Sequence, residues 1–209
     1  MQTIKSDALL SHLCSLVVLA LATFAGPAQA QTADRPDVKV GDRWKYAMVE
    51  DGKATDHVWI VNTVMPDRIE GTDSGKPLVL TPDLNVMESA AGKHSNQKFL
   101  SFPLAVGNKW TYADDFMYDL HGGERAHMRA PVRVVGYEKV RVPAGEFDAF
   151  KLKISGSYDI EGEVAPGVAS YTYWYAPAAH AIVRYESDLH CPALRTHTTF
   201  ELVEYQLKP

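Results

Sequence analysis

Strict alternation of apolar and polar side chains is the feature that most constrains the fold of this chain. In Phe150–Ile154, written FKLKI, every second residue is apolar and the residues between are lysines. Ala181–Asp188 and Val132–Val142 alternate in the same way. In the last run four valines share one parity: Val132, Val134, Val140 and Val142. Because successive side chains of a strand point to opposite faces, this period of two predicts half-buried antiparallel strands.

Turn-forming residues separate these runs. Asp51-Gly52 and the tripeptide Pro143-Ala144-Gly145 are examples, and each stands between two alternating segments. The best helical pattern after the N-terminal segment, Leu84–Ala91, is short. We therefore predict a nearly all-β domain of about ten strands with little helix. The expected architecture is a curved antiparallel sheet, forming a half-open or closed barrel, since closure removes exposed sheet edges.

The first thirty residues have the pattern of a signal peptide. Lys5 supplies a positive charge, Leu13–Phe24 is nearly all apolar, and Ala28-Gln29-Ala30 has the form of a cleavage site. The apolar run is shorter than the ~20 residues of a membrane-spanning helix. We therefore predict residues 1–30 as a signal peptide, 31–209 as a single β domain without a transmembrane segment, and a periplasmic or secreted location.

Charge and cysteine content exclude several classes of function. The net charge of −5 argues against a nucleic-acid partner, which requires a basic surface. Of the two cysteines, Cys14 lies at the start of the apolar leader, where it is not placed for lipid attachment. Cys191 is then the single cysteine of the domain, so no internal disulfide is expected and a buried thiol is the simplest interpretation.

A short motif occurs twice, as VGDRWKY at Val40–Tyr46 and VGNKWTY at Val106–Tyr112. In each copy a glycine and an Asp or Asn precede a tryptophan and a tyrosine two positions apart. Residues two apart on a strand share a face. We predict that each copy is a turn leading into a strand that carries both rings on one side, a local device used twice.

Aromatic residues supply the candidate ligand-binding site. Tyr and Trp outnumber Phe and are concentrated in strand-like runs. The candidate residues are Trp44, Tyr46, Trp110, Tyr112, Tyr173, Trp174 and Tyr175. These rings could line a concavity for an apolar or amphipathic molecule such as a lipid. Alternatively, they form the core, and each tyrosine hydroxyl or tryptophan N–H finds a hydrogen-bond partner inside the protein.

No catalytic, metal or cofactor site is predicted. The sequence has neither a G-x-S-x-G nor an H-E-x-x-H motif. His190 and Cys191 are adjacent and would face opposite sides of a strand, and His121 with His127 is a marginal alternative. Asp114-Asp115 and Asp119 could offer a carboxylate pair, but neighbouring acids on a strand also face opposite ways.

Four strings resemble bacterial envelope proteins akin to domain of unknown function 3108. They are Phe102–Tyr112, Val140–Phe147 (VRVPAGEF), Tyr173–Pro177 (YWYAP) and Ile182–Tyr185. The resemblance implies a secreted antiparallel sheet curved into a half-barrel, close to lipoprotein-carrier folds, and it implies no catalytic residues. This chain departs from many members in lacking a cysteine for lipid attachment.

We therefore expect an exported, non-enzymatic envelope protein that binds a hydrophobic or amphipathic ligand. An alternative is a protein-interaction module that meets another envelope protein and keeps its rings in the core. A hydrolase using acids or histidines such as His190 is a third hypothesis. A water-accessible cavity lined by Trp44, Trp110 and Tyr173 would favour the first, and a sealed interior the second.

Overall fold

The computed structural model describes residues 31–118, 124–161, 165–191 and 194–209, and the predicted signal peptide lies outside these ranges. Almost all regular structure is β. The strands are β1 (Thr32–Ala33), β2 (Arg43–Glu50), β3 (Lys53–Val64), β4 (Ile69–Asp73), β5 (Lys76–Leu80), β6 (Val86–Ser89), β7 (Gly92–His94), β8 (Leu104–Ala105), β9 (Lys109–Tyr118), β10 (Glu124–Val142), β11 (Gly145–Ile160), β12 (Gly167–Ala176), β13 (Ala181–Cys191) and β14 (Leu194–Gln206). One turn of 3-10 helix, Pro177–Ala179, joins β12 to β13.

Twelve of the strands form one closed antiparallel barrel. Neighbours in sequence are neighbours in space from β2 to β7 and from β9 to β14, and the pairings β14–β2 and β7–β9 complete the circle. The short strands β1 and β8 pair separately. The prediction of a nearly all-β barrel is confirmed, and the barrel is closed, where the resemblance implied a half-barrel. The best helical pattern, Leu84–Ala91, does not form a helix, and β6 occupies its centre.

The two copies of the repeated motif begin β2 and β9 with the same backbone hydrogen bonds. Gly41 N–H donates to Val61 O at 2.9 Å, and Gly107 N–H donates to Val134 O at the same distance. The residue after each glycine returns a bond, because its carbonyl accepts from Val61 or Val134 N–H. Both glycines have positive φ, +89° and +94°. The predicted turn-and-strand device is therefore present twice.

Residues 95–103 connect β7 to β8 and carry two side chains into the core; we call them the plug segment. Phe99 and Leu100 are buried in it, and Leu100 has no exposed surface. The buried Asn85 side chain accepts from Leu100 N–H at 2.8 Å and donates to Leu100 O at 2.9 Å. Trp110 Nε1 donates to Lys98 O at 2.8 Å. The plug segment is therefore attached to the barrel by side chains of distant residues.

A β-bulge changes the pattern of the longest hairpin, β10–β11. Val134 pairs with Leu152, but the register shifts between Val134 and Gly136, so that Val140 pairs with Phe147. Leu152 and Phe147 lie an odd number of residues apart on β11, so their side chains point to opposite faces of the sheet. Val134 and Val140, which pair with them, therefore also point to opposite faces. All four valines are buried. The prediction that they share one face is wrong, because alternation in the sequence does not reveal an inserted residue.

The described part of the chain contains no helix that is long and apolar enough to cross a membrane.

Candidate functional site

An apolar cavity of about 370 Å³ lies inside the barrel. Strands β2, β3, β12, β13 and β14 form one wall, and β5, β6 and the plug segment form the other. Its lining residues are mostly aromatic or aliphatic. They are Trp44, Tyr46, Met48, Trp59, Leu80, Leu84, Val86, Ala91, Gln97, Phe99, Leu100, Tyr173, His180, Ala181, Ile182, Tyr185 and Phe200. Ala91, in the turn between β6 and β7, is exposed, and the cavity reaches solvent beside it.

Packed rings shape the walls of this cavity. Tyr46 stacks on Phe200 at 4.2 Å between centroids and meets Trp59 edge-on at 5.3 Å. Tyr173 stacks on Phe99 of the plug segment at 4.9 Å and lies 4.9 Å from Tyr185. Such offset and edge-on contacts are the favoured geometries of aromatic pairs. Burial raises the pKa of both Tyr46 and Tyr173 well above the usual value, so both hydroxyls are neutral.

Two side chains of the lining carry buried polar atoms with no hydrogen-bond partner in the described residues. They are Trp59 Nε1 and His180 Nδ1, and the third such atom of the described chain is Thr55 Oγ1 on the same strand as Trp59. The indole of Trp44, in contrast, donates to Ala179 O at 2.8 Å. The rings of Trp59 and His180 line the cavity, but these two nitrogens are themselves buried with almost no accessible surface, so the lining is almost entirely apolar.

The fold places both of these groups next to Trp44. Trp59 is the direct cross-strand partner of Trp44 in the β2–β3 ladder. His180 follows Ala179, whose carbonyl accepts the Trp44 indole bond. His180 has a left-handed backbone, φ 51°, which ends the 3-10 helix. Trp59 and His180 are therefore both linked to Trp44, Trp59 as its ladder partner and His180 as the residue that follows the acceptor of its indole bond.

The predicted aromatic residues divide into three groups. Trp44, Tyr46 and Tyr173 line the cavity. Trp110, Tyr112 and Tyr175 lie in or against the core outside that lining, with Tyr175 edge-on to Phe102 at 5.1 Å. The remaining residue, Trp174, lies on the opposite face of β12.

Trp174 belongs to an ionic cluster on the outside of the barrel wall. Its Nε1 donates to Glu138 at 2.8 Å, and its ring lies 4.9 Å from Lys151 Nζ and 5.2 Å from the guanidinium of Arg184. The bonds from Trp174 and Lys151 lower the pKa of Glu138. Each polar group named here has a partner, which is typical of a structural cluster.

Sequence reasoning missed several cavity residues, among them Trp59, Tyr185, Phe200 and His180. Cross-strand register brings the first three into place: Trp59 pairs with Trp44, Tyr185 pairs with Tyr173 and Phe200, and Phe200 pairs with Met48. Parity along each strand was readable, but pairing between distant strands was not. His180 follows the 3-10 helix and belongs to no alternating run.

A polar network adjoins the cavity behind Gln97. His94 Nδ1 lies 2.5 Å from the buried carboxylate of Asp114, which also accepts from Asn96 N–H at 2.9 Å and from the Tyr112 hydroxyl at 3.1 Å. Burial alone would raise the pKa of Asp114, but these hydrogen bonds outweigh it and lower the pKa below the usual 3.8. Gln97 accepts from Val86 N–H at 3.0 Å and lies 3.2 Å from His94 Nε2. The network fixes the plug segment and so the cavity wall.

The other polar candidates are dispersed. Asp114 is buried whereas Asp115 is exposed, where it contacts His127 at 2.7 Å; the two acids face opposite sides of β9, as expected. His190 Nδ1 accepts from Arg195 at 2.9 Å. Asp119 and His121 lie outside the described residues. Among the residues that are described, no group of three or more His, Cys, Asp or Glu side chains could hold a metal ion.

Comparison with solved structures shows the barrel fold in a bacterial protein. A structure described as that of a candidate lipoprotein from Parabacteroides distasonis ATCC 8503 has a TM-score of 0.52 and 12% identity, covering 84% of this chain and 100% of its own. This likeness extends over nearly the whole described chain, and at this identity it concerns the fold alone.

Two further solved structures are more distant in shape. A candidate exported protein with YmcC-like fold from Bacteroides fragilis NCTC 9343 has a TM-score of 0.43 and 18% identity over 83% of this chain and 99% of its own. The hypothetical lipoprotein YmcC from Escherichia coli K12 has a TM-score of 0.48 and 11% identity over 81% and 85%. No family model and no curated protein sequence matches this chain.

Proposed function

We propose that this chain is an exported, non-enzymatic protein of the bacterial envelope that binds a hydrophobic or amphipathic small molecule inside its barrel. The observation that carries the proposal is the apolar cavity of about 370 Å³ with its ring-lined walls. Ligand cavities typically measure about 300–1,000 Å³ and are lined mainly by apolar and aromatic side chains with few polar groups. The cavity meets both conditions.

The accessibility of the cavity further supports this function over a purely structural role for the rings. Trp44 and Tyr173 line a space that reaches solvent near Ala91, whereas Trp110 does not line it. A close-packed protein interior leaves few voids larger than a water molecule. A space of this size, kept open by packed rings on two sides, is therefore more typical of a binding site than of a core.

The first test is the identification of what the protein carries. The mature protein, purified from its native export compartment without detergent, is measured by native mass spectrometry. We expect a population heavier than the polypeptide by the mass of a lipid-like molecule, which denaturation releases. Displacement of the fluorescent apolar probe N-phenyl-1-naphthylamine from the delipidated protein provides a second measurement.

A matched pair of variants links binding to the cavity. Ala91→Trp places a large ring at the mouth and should reduce probe binding at least fivefold. Ala90→Trp adds the same ring at an exposed neighbour that does not line the cavity, and should leave binding unchanged. Equal probe binding by both variants, or no probe binding by the wild type, would contradict the proposal and favour an interaction module that contacts another envelope protein.

A further inference from the structure

We infer that the cavity binds one unbranched alkyl chain of about ten carbons, which enters tail first and leaves its headgroup in water beside Ala91. The inference rests on the proposed function and names the class of ligand: single-chain amphiphiles that are selected by the length of the chain rather than by the headgroup. It follows from the direction, width and charge of the cavity.

The cavity extends along the strands toward one end of the barrel. Consecutive strands from β2 to β7 are antiparallel, so the β2–β3 and β6–β7 turns lie at the same end. Ala91, at the mouth, belongs to the β6–β7 turn. Trp44, Tyr46 and Met48 line the cavity along β2, and Met48 is nearest to the β2–β3 turn. Four steps of about 3.3 Å separate Trp44 from Met48, which gives the cavity a length of about 13 Å.

The width of the cavity admits one chain. A volume of about 370 Å³ over a length of about 13 Å gives a mean cross-section of about 28 Å², which is roughly 6 Å across. Carbon atoms in contact are about 3.5–4.0 Å apart, so two chains side by side need about 8 Å. An extended chain with bonds of ~1.5 Å and angles of ~111° advances about 1.25 Å per bond, so about ten carbons occupy the length.

The lining offers no partner to a charged headgroup. Among the described residues that line the cavity there is no aspartate, glutamate, lysine or arginine, and the Nδ1 atom of its histidine, His180, is buried. The hydroxyls of Tyr46 and Tyr173 are neutral because burial raises their pKa. Moving a charged group into apolar surroundings is unfavourable unless the group is paired. The headgroup therefore remains in water at the mouth, and the cavity contacts the chain.

A series of chain lengths tests the inference. Octanoate, decanoate, dodecanoate, tetradecanoate and hexadecanoate, each below its critical micelle concentration, are titrated against delipidated wild-type protein carrying N-phenyl-1-naphthylamine. We expect the affinity to rise about fourfold per methylene up to dodecanoate and then to change by less than about threefold up to hexadecanoate. A continued rise to hexadecanoate, or no dependence on length, overturns the inference and leaves the proposed function standing. If the probe itself does not bind, both fail together.

The headgroup and the number of bound chains are tested on the same protein. Because the headgroup stays in water, dodecanol and dodecylammonium should displace the probe within about threefold of dodecanoate. A difference of about tenfold or more would show that the protein recognises the headgroup, and would overturn the inference. Native mass spectrometry of the dodecanoate complex should show one bound molecule, and two bound molecules would contradict the width of the site.

A matched pair of variants locates the inner end of the chain. Ala181 is buried in the lining at the start of β13, and the β12–β13 connection lies at the end of the barrel opposite to Ala91. Ala181→Leu, or the smaller Ala181→Val if leucine is not tolerated, should move the plateau from dodecanoate to decanoate. Ala54→Leu, exposed on β3 and outside the lining, should leave the plateau at dodecanoate. An unchanged plateau in an Ala181 variant that still binds the probe overturns the inference.

Bromine quenching of tryptophan fluorescence reports the orientation of the chain. Trp44 and its ladder partner Trp59 line the cavity away from the mouth. In 12-bromododecanoate the bromine is at the tip of the tail, and in 2-bromododecanoate it is next to the headgroup. We expect the first to quench more strongly in Trp174→Phe, which removes a tryptophan of the outer face. Equal quenching, or stronger quenching by 2-bromododecanoate, overturns the tail-first orientation.

Discussion

At the scale of single residues, buried polar side chains hold the parts of the chain that have no strand partner. The carboxylate of Asp42, 1% exposed, accepts from Lys39 N–H at 2.9 Å and Lys208 N–H at 2.7 Å, which ties the segment before β2 to the C-terminal end. Asn85 and Asp114 hold the plug segment in a similar way. Each of these bonds satisfies a backbone group that the ladder of the barrel does not reach.

Replacing Asn85 by leucine should cost about 3 kcal/mol in free energy of unfolding, because both backbone polar groups of Leu100 then lose a buried partner. Urea denaturation followed by circular dichroism measures this cost. Asn62→Leu changes an exposed residue of β3 and serves as the control, with an expected effect within about 0.5 kcal/mol. Similar midpoints for the two variants would show that the plug segment is held by other contacts.

Asp114→Asn should destabilise the protein at neutral pH by about 2 kcal/mol, since it removes the charge that accepts bonds from three neighbours. The folded-state pKa of Asp114 lies below its usual 3.8, so this carboxylate stabilises the fold above that value and ceases to do so as pH falls below it. The difference between wild type and variant, measured by urea denaturation at pH 7, 5 and 3, should shrink only at the lowest pH. A difference that is constant across this range would be inconsistent with the lowered pKa.

Single residues of the candidate site were predictable where parity alone decides their position. Trp44 and Tyr46 follow from the repeated motif, and Tyr173 from an alternating run. Trp174, one residue later, was included for its ring, although its parity places it on the outer face beside Lys151 and Arg184. Trp59 and His180 join the lining through the β2–β3 pairing and the end of the 3-10 helix, which are properties of three-dimensional structure that the sequence does not reveal.

At the scale of elements, the repeated motif is a unit that starts a strand and bonds it to the following strand. Each glycine uses a positive φ to turn the chain, and each following Asp or Asn carbonyl completes a pair of bonds to β3 or β10. Trp44 and Trp110 then donate to backbone carbonyls of other segments, both at 2.8 Å. The motif thus connects three parts of the chain at each of its two positions.

Gly107→Ala should destabilise the fold by about 1–2 kcal/mol through backbone strain, because a Cβ there meets no atom within 4 Å but the φ of +94° disfavours any L side chain. Gly136→Ala is the matched control: its Cβ also meets nothing within 4 Å, and its φ lies outside the positive range. We expect the free energy of unfolding of that variant to lie within about 0.5 kcal/mol of the wild-type value. Thermal denaturation of the two proteins side by side measures the difference, and equal losses would refute the strain argument.

Most strands were predictable because period two and turn residues are local signals. The bulge in β10 was not, since one extra residue leaves the valine pattern intact while the register with β11 shifts at Val134 and Gly136. The short strands β6 and β7 were missed for a related reason. With four and three residues they are too brief to show a period, and neighbouring strands rather than their own pattern determine them.

At the scale of the whole molecule, the barrel is uneven around its circumference. The β10–β11 hairpin joins strands of 19 and 16 residues, whereas β6 and β7, separated from β10 by β9 alone, have only 4 and 3. Few ladder bonds support that short side, which also carries the mouth of the cavity at Ala91. Closure as such was predictable from the need to remove sheet edges, but the location of this short side was not.

Amides of β6 and β7 should therefore exchange with solvent deuterium faster than those in the centre of β11, by at least a hundredfold, because regions with few buried contacts open locally at low free energy. Hydrogen–deuterium exchange with mass spectrometry resolves the two regions as separate peptides. Comparable protection in both would indicate that the barrel opens only as a unit.

The pairing of β14 with both β13 and β2 determines when the barrel can form. A polypeptide delivered amino end first, through a ribosome or a translocation channel, presents β2 early and must wait for nearly its last residues before that strand gains its second neighbour. Until then two unpaired edges and a row of rings face water. A chaperone that shields nascent chains would have most to protect during this interval, and truncation before Leu194 would make the interval permanent.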